Sequence, residues 1–136
     1  MLDAQKKFTK KLLYKTGILR LVNKIRNKHT LTVVLFHRVL PKNDIRWPQS
    51  DKCWSVSDNV FDACLAFFIR HYNVIRLDDI SAFLEDGKPL PHNALLITFD
   101  DGWSDNLQYA VDITNQHSIK PLLFVTTSAI GTRILS

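Results

Sequence analysis

Two adjacent aspartates follow an apolar run in the stretch ALLITFDDGWSDN, residues 94–106. Asp100 and Asp101 are the residues whose type and spacing could carry chemistry. Neighbouring carboxylates repel each other, and burial disfavours ionising both. Such a pair therefore needs a cation, a hydrogen-bond network or solvent. If a metal ion bound one carboxylate, the other would remain free as a base, which is the arrangement of metal-assisted hydrolysis.

Other interpretations of the aspartate pair stay open from the residues alone. The two acids could simply stabilise the N-terminus of the helix that follows them. Aspartyl-phosphate phosphatases use a spaced D-x-D, whereas these acids are adjacent. Receiver domains place paired acids near their first strand and a phospho-accepting Asp on a later one. Here the pair follows the third predicted strand, and no later strand ends in Asp.

The elements that must position the pair alternate along the chain. Apolar runs predict strands over 31–40, 72–77, 94–99 and 120–128. A first helix is predicted from an N-cap at Ser57 to about Tyr72. A second is predicted to be capped by Asp78 or Asp79 and to end at Gly87. This alternation predicts an α/β fold with about four parallel strands, each buried on both faces.

A third helix is predicted to begin at Ser104 and to turn four side chains inward. These are Leu107, Ala110, Val111 and Thr114. In parallel α/β folds, sites lie beyond the C-terminal ends of the strands. His37, Asp100, Asp101, Thr126 and Thr127 all fall near such ends, so a site is expected there.

The first 30 residues differ in charge from the rest of the chain. They hold nine Lys and Arg residues against Asp3 alone, while the whole chain carries a formal charge of +5. Apolar residues recur at helical spacing between the basic ones, which predicts a basic amphipathic helical arm. The arm could pack on the domain, lie on an anionic membrane surface or contact nucleic acid. No nucleic-acid partner is expected, because no aromatic interleaving or known motif supports it.

Targeting signals and cysteine patterns are absent from the sequence. No apolar region suits a cleavable signal peptide or a transmembrane helix. The expected location is therefore cytoplasmic or peripheral on a membrane. Cys53 and Cys64 have no metal-ligand spacing, and a disulfide framework is not expected.

The stretch LLITFDDGWSDN together with KPLLFVTTSAIG resembles the polysaccharide deacetylase family, or NodB-homology domain. T-F-D-D-G is the first motif of that family. The upstream VVLFHRVLP and FIRHYNVIRLDDISAFLEDGKPLP resemble the lead-in of many bacterial members. The resemblance covers roughly residues 31–133. It implies the N-terminal part of a distorted (β/α) barrel over residues 31–136, preceded by the arm over 1–30.

The resemblance also implies a reaction and its residues. Members remove acetyl groups from N-acetylated or O-acetylated carbohydrate, so an acetylated polysaccharide or glycan is the implied substrate. Asp100 maps onto the catalytic base. Asp101 maps onto a ligand of a divalent metal ion, usually zinc. By its position at a strand end, His37 is a possible metal-site neighbour or substrate contact, or else a hydrogen-bonded structural histidine. Trp103, beside the aspartates, is another possible site neighbour that could stack on a sugar ring or merely pack.

One departure from the family pattern concerns its second motif, H-[ST]-x-x-H, which supplies two histidine ligands. The five histidines are His29, His37, His71, His92 and His117. No two are four residues apart, and none follows the fourth predicted strand. A catalytic zinc needs about three protein ligands. We therefore expect a chain truncated at its C-terminus and inactive as it stands. The alternative is a non-catalytic remnant that binds carbohydrate, a partner or a membrane surface.

Overall fold

A computed structural model describes residues 29–131 of the chain. The predicted arm lies outside these residues except for its last two positions. Within residues 29–131, no helix is long and apolar enough to cross a membrane.

Strands and helices alternate through the described residues. Their order is β1 Leu31–Phe36, β2 Arg38–Val39, β3 Ser55–Val56, α1 Asp58–His71, β4 Asn73–Ile75, α2 Leu77–Asp86, β5 Ala94–Phe99, a π-helical turn Asn106–Ala110, α3 Val111–Gln116 and β6 Leu122–Leu123. Short 3-10 turns add Trp47–Gln49 and Thr127–Ala129.

The main sheet has four parallel strands with β5 at its centre. β1 pairs with the full length of β5, from Leu31 opposite Ala94 to Phe36 opposite Phe99. On the other side of β5, β4 pairs with its first half and β6 with its last two residues. The predicted α/β fold with about four parallel strands is confirmed. β2 and β3 form a separate parallel pair.

The main core cluster lies between one face of the sheet and α1 with the helix that opens at Ser104, and a smaller cluster of Ile75, Ala94 and Leu96 packs with Ile80 of α2 on the other face. All six residues of β5 are buried, as expected for a central parallel strand. The Phe61 ring of α1 packs edge-on against Phe36, with centroids 5.0 Å apart, and 5.6 Å from the Phe99 ring. This packing fixes the ends of β1 and β5 against α1.

The opposite face of β1 is not covered within residues 29–131. Leu31, Val33 and Leu35 are exposed there. The prediction that every strand is buried on both faces is therefore wrong for β1. No strand in the described part of the chain pairs with its outer edge.

Three predicted strands are shorter in the structure. The first ends at Phe36, because the chain turns at His37 and Arg38–Val39 pairs with β3 instead. The second spans Asn73–Ile75 only. The fourth is reduced to Leu122–Leu123, and a 3-10 turn forms within its predicted end.

Helix ends follow the predicted chemistry with one correction. Ser57 caps α1 by accepting a hydrogen bond from the Val60 N–H, as predicted. Gly87 ends α2 in the left-handed conformation, also as predicted. The predicted cap at Asp78 or Asp79 is wrong, because Arg76 is the N-cap. The Asp79 carboxylate accepts a hydrogen bond from the Arg76 N–H.

The helix that opens at Ser104 contains the π-helical turn, and this changes which side chains face inward. Ala110 and Thr114 are buried as predicted, but Leu107 is 74% exposed and Val111 is exposed as well. A π turn contains an extra residue, so the 3.6-residue periodicity that predicts a single inward face does not hold across it.

Candidate functional site

The ends of β1 and β5 bring the predicted site residues together. The Asp100 N–H donates to the Phe36 carbonyl at 3.0 Å, which joins the two strand ends. His37 follows β1 directly, and Asp101 follows Asp100 in the turn after β5. Residues 64 positions apart in the sequence therefore meet at one edge of the sheet.

The Asp101 carboxylate is held through one of its oxygens. The Oδ2 atom lies 3.1 Å from His37 Nδ1 and accepts from the Trp103 indole N–H at 3.2 Å. A hydrogen bond from His37 to this oxygen requires the proton on Nδ1. The side chains of His37 and Asp101 are 19% and 42% exposed. His37 and Trp103, both predicted as site neighbours, thus contact Asp101 directly.

Asp100 has a different environment from its neighbour. Its side chain is half-buried, and within residues 29–131 it has no hydrogen-bond partner. The adjacent carboxylates are therefore distinct, since Asp101 is held by two donors and Asp100 has no side-chain hydrogen bond within residues 29–131.

The turn after β5 carries two consecutive left-handed residues. Asp101 has φ +73° and Gly102 has φ +81°. Non-glycine residues rarely adopt this conformation, and such strain clusters at functional sites. The Asp101 carbonyl accepts from the Thr126 N–H at 3.2 Å, so the segment after β6 supports the turn.

In the variant Gly102→Ala, backbone strain alone is expected to lower the free energy of unfolding by about 1–2 kcal/mol. The added Cβ would also lie 3.1 Å from Val125 Cγ1, and this tight contact should add to the loss. Urea denaturation measures the loss. Gly87→Ala is the matched control, since Gly87 also has positive φ but has nothing within 4 Å of the added carbon. Equal losses in both variants would contradict a tight contact at Gly102.

A buried ion pair that the sequence analysis missed lies behind the turn. Arg38 Nε donates to Asp105 Oδ2 at 2.7 Å, and Arg38 Nη2 lies 2.6 Å from the same oxygen. Only the Nε contact has hydrogen-bond geometry. Burial raises the pKa of the Asp105 carboxyl, and the hydrogen bond from Arg38 opposes that rise without cancelling it.

The same ion pair reaches the site through Trp103. The Arg38 guanidinium carbon lies 4.0 Å from the centre of the Trp103 ring. The Asn106 side-chain amide donates to the His37 carbonyl at 3.1 Å. Nothing in the sequence pairs Arg38 with Asp105, which lie 67 residues apart.

Hydrogen bonds to Asp44 join the loop after β2 to the π-helical turn. Asp44 accepts from the Arg46 guanidinium at 2.9 and 2.8 Å and from the Arg46 N–H at 2.8 Å. It also accepts from the Tyr109 hydroxyl at 2.7 Å. The Arg46 hydrogen bonds, followed by the one from Tyr109, hold the pKa of Asp44 well below its ordinary value.

Replacing Asp44 by Asn is expected to lower the free energy of unfolding by about 1.5–3 kcal/mol at pH 7, the range for hydrogen bonds to charged groups. A carboxyl whose pKa is lower in the folded state than its unfolded value of 3.8 stabilises the fold when the pH is above 3.8. This contribution is lost as the pH falls from 3.8 toward the folded pKa. The difference between the two proteins should therefore shrink below about pH 4. Urea denaturation at several pH values tests this. Asp112→Asn, an exposed substitution in α3, is the control, and a pH-independent difference would contradict the assignment.

The donors at the strand ends do not complete a metal site. Within residues 29–131, no group of three or more His, Cys, Asp or Glu could hold a metal ion. Asp101 and His37 supply two donor side chains, and a catalytic zinc takes about three. The described residues thus do not fit a whole zinc site by themselves.

Comparisons with known proteins agree on one family. The family model for polysaccharide deacetylase matches residues 87–134. YxkH of Bacillus subtilis, named as a polysaccharide deacetylase, is 26% identical over 102 residues, covering 74% of this chain and 33% of the relative. The chain thus spans about a third of that relative's length.

Two solved structures share the fold. A de-N-acetylase from Aggregatibacter actinomycetemcomitans superposes with a TM-score of 0.64 at 20% identity, over 78% of this chain and 41% of that one. IcaB from Ammonifex degensii gives 0.59 at 26% identity, over 75% and 40%. The described residues are thus part of the deacetylase (β/α) barrel, as predicted. By the family match, the relative and the shared fold, the chain resembles the polysaccharide deacetylase family.

Proposed function

We propose that this chain carries the aspartate half of a hydrolase site that removes acetyl groups from carbohydrate. The observation that carries the proposal is the pair at the end of β5. Asp101 is fixed through Oδ2 by two donors, while the Asp100 carboxylate has no hydrogen-bond partner within residues 29–131. Metal-assisted hydrolysis needs one held carboxylate and one free base. The similarity to polysaccharide deacetylases supports the same reaction class.

Asp100 acts as the general base in this proposal. Its carboxylate takes a proton from the attacking water, whose oxygen adds to the acetyl carbonyl carbon. The carbon–nitrogen bond of an N-acetyl group then breaks, the amine leaves with a proton, and acetate is released. For an O-acetyl group the same steps break an ester. The half-buried position of Asp100 at the strand end suits this exchange with bound water.

Asp101 acts as one ligand of a divalent metal ion, with zinc the best match to a carboxylate in a mixed nitrogen and oxygen site. The remaining ligands must come from outside residues 29–131, since the described residues hold no group of three. Because Oδ2 already accepts from His37 and Trp103, Oδ1 is the oxygen left for the ion. His37 and Trp103 are site neighbours that hold the ligand in place.

The test uses the protein that contains this chain, with zinc added, on an N-acetylated and an O-acetylated oligosaccharide. Acetate release and bound metal are both measured. We expect acetate release from the wild type and loss of both readouts in Asp101→Asn. Asp86→Asn, an exposed change at the end of α2, should keep both. If the protein bound the oligosaccharide but released no acetate with any added divalent metal ion, the proposal would be overturned in favour of a non-catalytic binding module.

We also propose that residues 1–30 bind an anionic membrane surface, which would place the protein peripherally on a membrane. The support is their nine basic residues against a single acid. Juxtaposed basic residues contribute about 1 kcal/mol each near such a surface. Co-sedimentation with vesicles containing phosphatidylserine should exceed that with neutral vesicles, and Lys→Gln changes within the arm should remove the difference. Equal binding of both vesicles would contradict the proposal.

A further inference from the structure

We propose that Arg38 is a positioning residue for the aspartate site. Held by buried Asp105, its guanidinium fixes the indole of Trp103, and that indole fixes the carboxylate of Asp101. The catalytic meaning of this arrangement rests on the proposed function. The structural link from Arg38 to Trp103 can be tested without it.

The first step is the orientation of Arg38. Asp105 is fully buried, and its Oδ2 accepts from Arg38 Nε at 2.7 Å. The Arg38 side chain is itself 15% exposed. A guanidinium is planar, so a hydrogen bond from Nε to a fixed carboxylate restricts the direction of its plane. The backbone of Arg38 is also held, since its N–H donates to the Trp54 carbonyl at 3.1 Å.

The second step is the contact with Trp103. The guanidinium carbon lies 4.0 Å from the ring centre, a cation–π distance. This contact occupies one face of the indole. Trp103 belongs to the short turn between β5 and the following helix, where no regular backbone ladder holds it. The Trp103 carbonyl accepts from the Asn106 N–H at 3.0 Å, and the Arg38 guanidinium is the cationic surface over one face of its ring.

The third step is from Trp103 to Asp101. The indole N–H donates to Asp101 Oδ2 at 3.2 Å, beside His37 Nδ1 at 3.1 Å. Both donors contact the same carboxylate oxygen, so rotation of the Asp101 carboxylate would break both contacts. His37 is anchored in turn by Asn106, whose amide donates to its carbonyl at 3.1 Å. The helix that begins at Ser104 thus supplies Asp105 and Asn106, which hold Arg38 and His37 respectively.

A purely structural role for the ion pair makes a different prediction. Buried ion pairs are often replaceable by apolar side chains without loss of the fold. If Arg38 only neutralised Asp105, any folded variant would leave Trp103 unchanged. If Arg38 positions Trp103, loss of the planar group must release the indole even where the fold survives.

The experiment uses Arg38→Lys and the double variant Arg38→Met/Asp105→Leu. Lysine keeps the charge but has no planar surface, and the double variant removes both charges together. The readout is solvent exchange of the Trp103 indole N–H by ¹⁵N NMR, with Trp103→Phe to assign the signal. We expect exchange to rise by about tenfold in both variants. Arg70→Lys, an exposed change at the end of α1, should leave it unchanged.

Circular dichroism and a melting curve establish that the variants are folded. An unchanged indole exchange rate in a folded variant would overturn the proposal. A folded variant with faster exchange supports it whether or not the protein deacetylates. In an active protein, Arg38→Lys should also lower kcat by about tenfold with KM unchanged, since only the geometry of the site is altered. Absence of activity in the wild type would count against the proposed function and not against the link from Arg38 to Trp103.

Discussion

Replacing Asp100 by Asn, in a protein that supplies the remaining metal ligands, is expected to lower kcat for acetate release by about a hundredfold to ten-thousandfold, the range for removal of a general base. The amide cannot take a proton from water, although it has nearly the same shape as the carboxylate. The fold should be retained, because the contact that ties Asp100 to β1 is made by its backbone N–H. Steady-state kinetics on an N-acetylated oligosaccharide measure the loss.

Metal content separates Asp100 from its neighbour. Asp100→Asn should keep the bound zinc of the wild type, while Asp101→Asn should lose it, because only Asp101 is assigned as a ligand. Asp112→Asn on α3 is the matched control and should change neither quantity. Loss of zinc together with activity in Asp100→Asn would contradict the division of roles, since it would make Asp100 a ligand.

The central strand and its aspartates were predictable because their signal is local. ALLITF is an unbroken apolar run, and Asp100, Asp101 and Gly102 follow it directly. Parallel strands end at one edge of a sheet, so the position of His37 at the end of the first predicted strand placed it near the aspartate pair. In the structure, His37 Nδ1 lies 3.1 Å from Asp101 Oδ2. The T-F-D-D-G motif then indicated the similarity to polysaccharide deacetylases.

The ion pair behind the site was not predictable in the same way. Arg38 and Asp105 are 67 residues apart, and neither stands out by type or spacing. Their pairing depends on how the chain turns from β1 into β2 and on where the turn after β5 places Asp105, just before the π-helical turn, and periodicity describes none of these features. The same turn explains why Leu107 faces solvent, although a 3.6-residue pattern places it inside.

The prediction that β1 is buried on both faces was wrong for a related reason. An apolar run such as that of β1 predicts burial on both faces only when elements cover both. Within residues 29–131 one face of β1 packs on the core, and the other leaves Val33 and Leu35 exposed. The sequence of a strand shows which of its side chains are apolar. Whether those side chains are buried depends on the elements that pack against the strand in the tertiary structure.

Replacing Arg38 by Met is expected to lower the free energy of unfolding by about 3–5 kcal/mol at pH 7, because it leaves an unpaired charge in the interior. Asp105 has no exposed surface through which water could replace the guanidinium. The double variant Arg38→Met/Asp105→Leu should recover most of the loss, since it buries no charge. Urea denaturation of the wild type, the two single variants and the double variant measures the coupling.

The pH dependence of Arg38→Met gives the second half of this prediction. Burial already raises the pKa of Asp105 in the intact pair, and removing Arg38 removes its largest opposing contact. A carboxyl whose folded pKa lies above its unfolded value loses stability as pH rises through the interval between them. Arg38→Met should therefore be closest to the wild type in acid and should weaken progressively as pH rises above the ordinary value of 3.8. The double variant should lack this slope, because it has no carboxyl at position 105. A constant deficit of Arg38→Met at every pH would mean that the lost packing of its side chain on Trp103, and not the buried charge of Asp105, sets the cost.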